Sequence, residues 1–132
     1  VKPNRIDAIG MIMADICDEH LGDDFTTVVG ISINGIMFAQ SVSDQLGCEV
    51  SIFRGGNDGE SGALSNKYGQ VGGKRVVIVD DLLNSGDTMR QAIEALHSAG
   101  AEVVLCLVLV NKTTKDEIAG IPLRGLIRAV TV

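Results

Sequence analysis

Three short apolar runs rich in β-branched residues constrain the fold of this chain more than any other feature. They are TTVVGI at 26–31, VVIV at 76–79 and the eight apolar residues of 103–110. Apolar runs without polar alternation are typical of parallel strands that are buried on both faces. Segments with helical spacing of apolar residues separate them. The chain is therefore expected to form an α/β fold, a mostly parallel sheet flanked by helices.

The remaining elements follow from apolar spacing and from glycines that end helices. Helices are predicted over 4–21, 36–46 and 87–99. Further strands are predicted over 49–53, 63–71 and 123–132, with a tight loop at 32–35 and a polar turn region at 111–120.

Length and charge narrow the class of protein. The chain has 132 residues, which fits a single domain over 1–132, and it begins with Val1, so it is also compatible with the C-terminal part of a longer chain. The net charge of −6 argues against nucleic-acid binding by this segment alone. No apolar run reaches membrane length and no signal peptide precedes the first helix, so a cytoplasmic protein without a membrane partner is expected.

The stretch from Val76 to Met89 carries the chemistry. Its strand leads to Asp80 and Asp81 at the carboxyl edge of the predicted sheet, where ligands of such folds bind. Ionised carboxylates accept hydrogen bonds from the vicinal hydroxyls of a ribose. Gly86 and small hydroxyl residues then open a helix, whose N-terminal amides favour a phosphate group. Together these features indicate a ribose carrying a 5-phosphate.

Residues 76–89 resemble, throughout, the signature with which type I phosphoribosyltransferases bind PRPP (5-phosphoribosyl-1-pyrophosphate). The resemblance extends over about residues 26–132. It is strongest to orotate phosphoribosyltransferase and to archaeal relatives, some of which are sugar-responsive transcription regulators. It implies the type I phosphoribosyltransferase fold, a homodimer, and Mg²⁺ that is carried by PRPP near the two acids rather than ligated directly by the protein.

The resemblance also assigns site residues. Asp80 and Asp81 would bind the ribose hydroxyls, directly or through Mg²⁺ and water. Residues 54–62 would form the flexible catalytic loop. The catalytic residues would be Asp80, Asp81 and Arg54. The 5-phosphate would be wrapped by Asn84, Ser85, Gly86, Asp87 and Thr88, and the pyrophosphate loop would be Ser32, Ile33, Asn34 and Gly35.

The chain departs from the family pattern in ways that bear on activity. Ile33 stands where orotate-type enzymes often have a lysine, and the 54–62 loop contains Asp58 and Glu60. Asp87 adds an acid to the phosphate segment, and the residues before the first core strand are not expected to form a hood for a nucleobase. Two functions therefore stay open. One is transfer of phosphoribose to a nucleobase, orotate being the best guess. The other is non-catalytic sensing of PRPP, a sugar phosphate or a nucleotide for a transcription regulator.

Overall fold

The structure, a computed structural model, describes residues 5–54, 63–64 and 71–130. Helices α1 to α3 are Arg5–Leu21, Ser32–Leu46 and Asp87–Ser98. Strands β1 to β7 are Thr27–Ile31, Glu49–Arg54, Ala63–Leu64, Arg75–Leu83, Glu102–Asn111, Glu117–Ile118 and Ile121–Arg128.

The strands form one sheet in the order β3-β2-β1-β4-β5-β7-β6. The pairs β1–β2, β1–β4, β4–β5 and β5–β7 are parallel, and the two-residue strands β3 and β6 add antiparallel pairs at the ends. The expected mostly parallel α/β fold is confirmed. Because β1 and β4 are neighbours, the turns that follow them open at the same edge of the sheet.

The alternation of side chains along β4 divides the core into two layers. Val77 and Val79 pack with residues of α1 and α2 on one face, and Val76 and Ile78 pack with residues of α3 on the other. All four valine and isoleucine side chains are completely buried. Full burial of such a side chain contributes about 1.5–3 kcal/mol, so these four residues hold β4 firmly between the two helical layers.

Two element boundaries near the acids differ from the sequence-based prediction. Strand β4 does not end at Val79 but continues to Leu83, so Asp80 and Asp81 lie inside a strand rather than after it. The predicted tight loop over 32–35 is wrong, because α2 begins at Ser32. The chain reverses within one residue there, since Ser32 has a left-handed φ of 66°.

The other helices and strands are present with shifted bounds, and the predicted strand at 123–132 is β7. Of the predicted strand at 63–71, only β3 is described: residues 65–70 lie outside the described residues, and Val71 is not part of a strand. The polar region at 111–120 contains the short strand β6. Across the portion of the chain that the structure describes, no helix has the length and apolar character needed to span a membrane.

Candidate functional site at the carboxyl edge of the sheet

The two carboxylates at the end of β4 face different surroundings. Strand alternation sends Asp80 to the side of α3 and Asp81 to the side of α2. Asp80 is only 7% exposed, whereas Asp81 is half-buried. The register places the residues after Gly30 beside them, because Gly30 of β1 pairs with Val79 of β4.

The first turn of α2 holds both acids. The Ser32 hydroxyl donates to Asp80 Oδ1 at 2.8 Å, and the Asn34 amide nitrogen donates to Asp81 Oδ2 at 3.1 Å. The Ser32 oxygen also accepts a hydrogen bond from the Gly35 backbone amide at 3.2 Å. These donors are therefore already engaged with groups of the protein itself. The left-handed backbone at Ser32 is a strained conformation of the kind that functional sites often contain.

Burial sets the protonation behaviour of Asp80. Removal from water raises the pKa of this carboxyl to about 7, and the charge of Asp81 acts in the same direction. The hydrogen bonds from the Asp81 amide and the Ser32 hydroxyl act against burial and lower the pKa, but they do not offset it. Asp80 thus titrates near neutral pH, an uncommon property that clusters at functional sites.

A cavity of about 210 Å³ lies between Asp80 and the start of α3. Every residue from 82 to 89 lines it together with Asp80. The structure thereby brings Asn84, Ser85, Gly86, Asp87 and Thr88, all expected from the sequence to surround a phosphate, against the more buried of the two acids. Further cavities lie elsewhere among the described residues. One of about 310 Å³ lies near the start of β2, and an apolar one of about 560 Å³ lies between α1 and β7.

The acid inside this segment has a basic partner that the sequence analysis missed. Arg90 Nη1 lies 3.5 Å from Asp87 Oδ1 and donates to the Ser85 carbonyl at 3.1 Å. The i, i+3 spacing of the two residues in a helix was the signal that could have revealed the pair. Because Arg90 offsets the charge of Asp87, the segment repels an anion less than its sequence suggests.

Two glycines allow the backbone segments of the site to approach one another. A Cβ on Gly35 would lie 2.8 Å from the Val79 carbonyl oxygen, so α2 can sit directly on β4 only with glycine at this position. Gly86 has a left-handed φ of 87°, and a Cβ there would lie 2.9 Å from Ile118 Cδ1. Glycine adopts such backbone angles without steric cost. Ile118 is a further residue of the site that sequence reasoning did not find.

The remaining predicted residues are less closely associated with the acids. Ile33 projects into solvent, 79% exposed, between the two residues that bind the carboxylates. Arg54 ends β2, on the far side of β1 from Asp81. Two strand spacings separate their backbones by about 10 Å. The rest of the predicted catalytic loop, 55–62, lies outside the described residues.

The donor groups present fit a magnesium ion that arrives with a ligand. Within residues 5–54, 63–64 and 71–130, the structure contains no cluster of three or more His, Cys, Asp or Glu side chains that could enclose a metal. Mg²⁺ commonly binds through one or two carboxylates together with substrate phosphates. Here the ion would be carried by the ligand's phosphates near Asp80 and Asp81, which would contact it through water, and it would neutralise part of the ligand's charge.

The fold and this edge define an α/β protein with two adjacent carboxylates and a cavity where parallel strands end. The chain matches the family described as Phosphoribosyl transferase domain over residues 2–126. It therefore belongs to this family, and the resemblance noted in the sequence is confirmed.

Relatives of known name divide between regulators and enzymes. "Transcriptional regulator GfcR" of Archaeoglobus fulgidus is 35% identical over 137 residues, covering 99% of this chain and 70% of the relative. The protein of the same name from Thermoplasma acidophilum is 36% identical, covering 98% and 67%. The crystal structure of orotate phosphoribosyltransferase from Aeropyrum pernix is 25% identical with a TM-score of 0.68, covering 89% and 70%. A phosphoribosyltransferase from Corynebacterium diphtheriae, 23% identical with a TM-score of 0.78 and covering 96% and 80%, shows the fold.

Proposed function

We propose that this chain is the effector-binding part of a transcription regulator and that it binds a 5-phosphorylated ribose compound without transferring it. The observation that carries the proposal is the shared cavity, in which Asp80 borders the same space as residues 84–88. Hydroxyl groups of the ligand would donate to the carboxylates, and its phosphate would lie against the start of α3.

Two further observations favour sensing over transfer. Relatives at about 35% identity over nearly the whole chain are named as transcriptional regulators. Transfer from PRPP builds positive charge at the sugar while a diphosphate departs, and cations around the leaving group would stabilise that step. The turn beside the acids instead carries the neutral, exposed Ile33.

The site is tested by removing the charge of both acids. The double variant Asp80→Asn/Asp81→Asn should lose at least about a hundredfold in affinity for PRPP or ribose 5-phosphate, because two charge-assisted acceptors are lost. Isothermal titration calorimetry measures this directly. Asp15→Asn/Asp18→Asn removes the same charge from the exposed face of α1 and should leave affinity unchanged. Retained binding in the first variant would remove the assigned site.

Phosphoribosyl transfer to a nucleobase is the second candidate, and the likeness to the Aeropyrum pernix enzyme favours it. Orotate remains the first base to test. Pyrophosphate release from Mg²⁺–PRPP is measured with orotate, uracil and purine bases in turn. Release that depends on one base would establish the enzyme and name its acceptor. Binding of PRPP without release would support the sensor.

Three further parts of the proposal rest on the resemblance. Mg²⁺ would accompany a diphosphate ligand, the protein would act as a homodimer, and it would work in the cytoplasm. Sedimentation velocity of the purified chain tests the second of these, since a monomer at all concentrations would contradict it.

A further inference from the structure

The apolar groove of about 560 Å³ between α1 and β7 leaves large apolar side chains uncovered. Ile9, Ile12 and Ile16 line it from the helix, and Leu126 and Ile127 line it from the strand. Ile12 is 51% exposed and Ile127 is 54% exposed. Contiguous exposed apolar surface of this kind marks a place where another molecule docks.

The exposed side of α1 carries a charge pattern beside this groove. Arg5, Ala8, Ile12, Asp15 and Glu19 follow one another at alternating spacings of three and four residues, so they share one side of the helix. All five residues are exposed. None of the ion pairs among the described side chains involves Arg5, Asp15 or Glu19. The row therefore has a basic start, an apolar centre and an acidic end.

This pattern is complementary to itself. Arg5 and Glu19 each lie seven residues from Ile12, one on either side. If a second copy of α1 runs antiparallel across a two-fold axis at Ile12, Arg5 of each copy faces Glu19 of the other, and the contact occurs twice. The two Ile12 side chains meet at the axis and cover each other. A parallel copy would instead place like charges opposite one another.

We propose that a second copy of this chain docks on this face, with α1 antiparallel to α1 of the partner and Arg5 of each copy paired with Glu19 of the other. The face uses none of the residues of the carboxyl-edge site, so the inference goes beyond the proposed function and does not depend on ligand binding. It assigns a surface to the homodimer that the family resemblance implies.

Sedimentation equilibrium of the full chain and its variants measures the dissociation constant of the dimer. Ile12→Glu places two like charges at the axis and should weaken the dimer at least about thirtyfold. Met37→Glu is the matched control, since it adds the same charge at an exposed apolar position of α2. It should leave the dissociation constant unchanged.

A charge swap tests the pairing itself. Arg5→Glu and Glu19→Arg each create two like-charged pairs and should weaken the dimer about tenfold. The double variant Arg5→Glu/Glu19→Arg exchanges the charges and should restore the dissociation constant of the unmodified chain to within about threefold. Contact within one helix cannot produce this rescue, because the two positions lie about 21 Å apart along α1. Both substitutions suit the helix dipole, so neither should unfold α1.

The outcomes decide between this surface and its alternatives. A dimer that Ile12→Glu dissociates and the charge swap restores supports the inference. A chain that is monomeric at all concentrations overturns it, and so does a double variant that stays as weak as the single variants. A dimer that survives Ile12→Glu overturns this surface but leaves a homodimer in place. Calorimetric titration of the unmodified chain with PRPP decides the ligand site separately, since absence of binding contradicts the proposed function alone.

Discussion

The turns after β1 and β4 share a local design yet use it differently. Each joins a buried parallel strand to a helix at the same edge of the sheet, and each contains a residue with left-handed backbone, Ser32 in one and Gly86 in the other. In the first turn, the side chains of Ser32 and Asn34 donate hydrogen bonds to Asp80 and Asp81. The second turn lines a cavity. The difference teaches that the same strand-turn-helix geometry can either hold two carboxylates in place or border a cavity.

The strongest way to break the first turn is Gly35→Ala. The new Cβ would lie 2.8 Å from the Val79 carbonyl oxygen, and neither backbone can move without separating α2 from β4. The free energy of unfolding should fall by roughly 2–4 kcal/mol. Urea denaturation measures the change. Gln40→Ala, on an exposed position of the same helix, should change it by less than about 0.5 kcal/mol. Equal effects of the two substitutions would contradict the close packing.

Asp80 contacts the first turn and lines the cavity at the second. When charged, this buried carboxyl should lower the stability of the folded protein. Its raised pKa means that folding favours the protonated form of this carboxyl. The stabilising contribution of Asp80 to the free energy of unfolding is therefore present below about pH 4 and lost as pH rises through about 7. Asp80→Asn keeps an oxygen acceptor for Ser32 and the Asp81 amide. The variant should be more stable than the parent by roughly 1–3 kcal/mol at pH 8, with a smaller difference at pH 4.5.

Urea denaturation at several pH values tests this expectation. A difference between the Asp80→Asn variant and the parent that is constant from pH 4.5 to pH 8 would show that burial does not control this carboxyl.

The second turn is broken by Gly86→Ala. The substitution strains a φ of 87° and brings a Cβ to 2.9 Å from Ile118 Cδ1. The expected loss of stability is roughly 1–2 kcal/mol, less than at Gly35, because the end of a side chain can shift where a backbone cannot. Ile118→Val removes the clashing atom, so the double variant should be more stable than additivity predicts. Strict additivity would locate the whole cost in the backbone.

The smallest effect is expected from Arg90→Gln, which tests how charge at the second turn affects ligand affinity. Without the guanidinium, Asp87 stands uncompensated beside the phosphate position, and affinity for ribose 5-phosphate should fall about three- to fivefold. Asp87→Asn in the same chain should restore most of the loss. Failure of this rescue would indicate that Arg90 acts on the ligand directly rather than through Asp87.

The sequence predicted features that depend on local pattern. The buried strands, the two acids and the phosphate segment could all be read from runs of residues and their spacing. The sequence predicts that β4 ends at Val79, because two adjacent carboxylates are typical of the polar end of a strand. In the fold, hydrogen bonds from Ser32 and Asn34 compensate for extending the strand through them.

Contacts between distant segments could not be predicted in the same way. Ser32 and Asp80 are 48 residues apart, and no local pattern announces their hydrogen bond. The same holds for Ile118, which meets the Gly86 position from a two-residue strand. The pair of Arg90 and Asp87 is a local contact instead, because its i, i+3 spacing within one helix can be seen in the sequence.

The titration of Asp80 near neutral pH couples occupancy of the site to proton exchange. If a ligand's hydroxyl groups require the carboxylate, then binding at pH 7 expels the proton from those molecules that hold one. The released proton passes to the buffer, so the apparent heat of binding depends on the buffer's own ionisation enthalpy. By the same reciprocity, acidification displaces the ligand. The domain would then report the acidity of its surroundings together with the concentration of its effector.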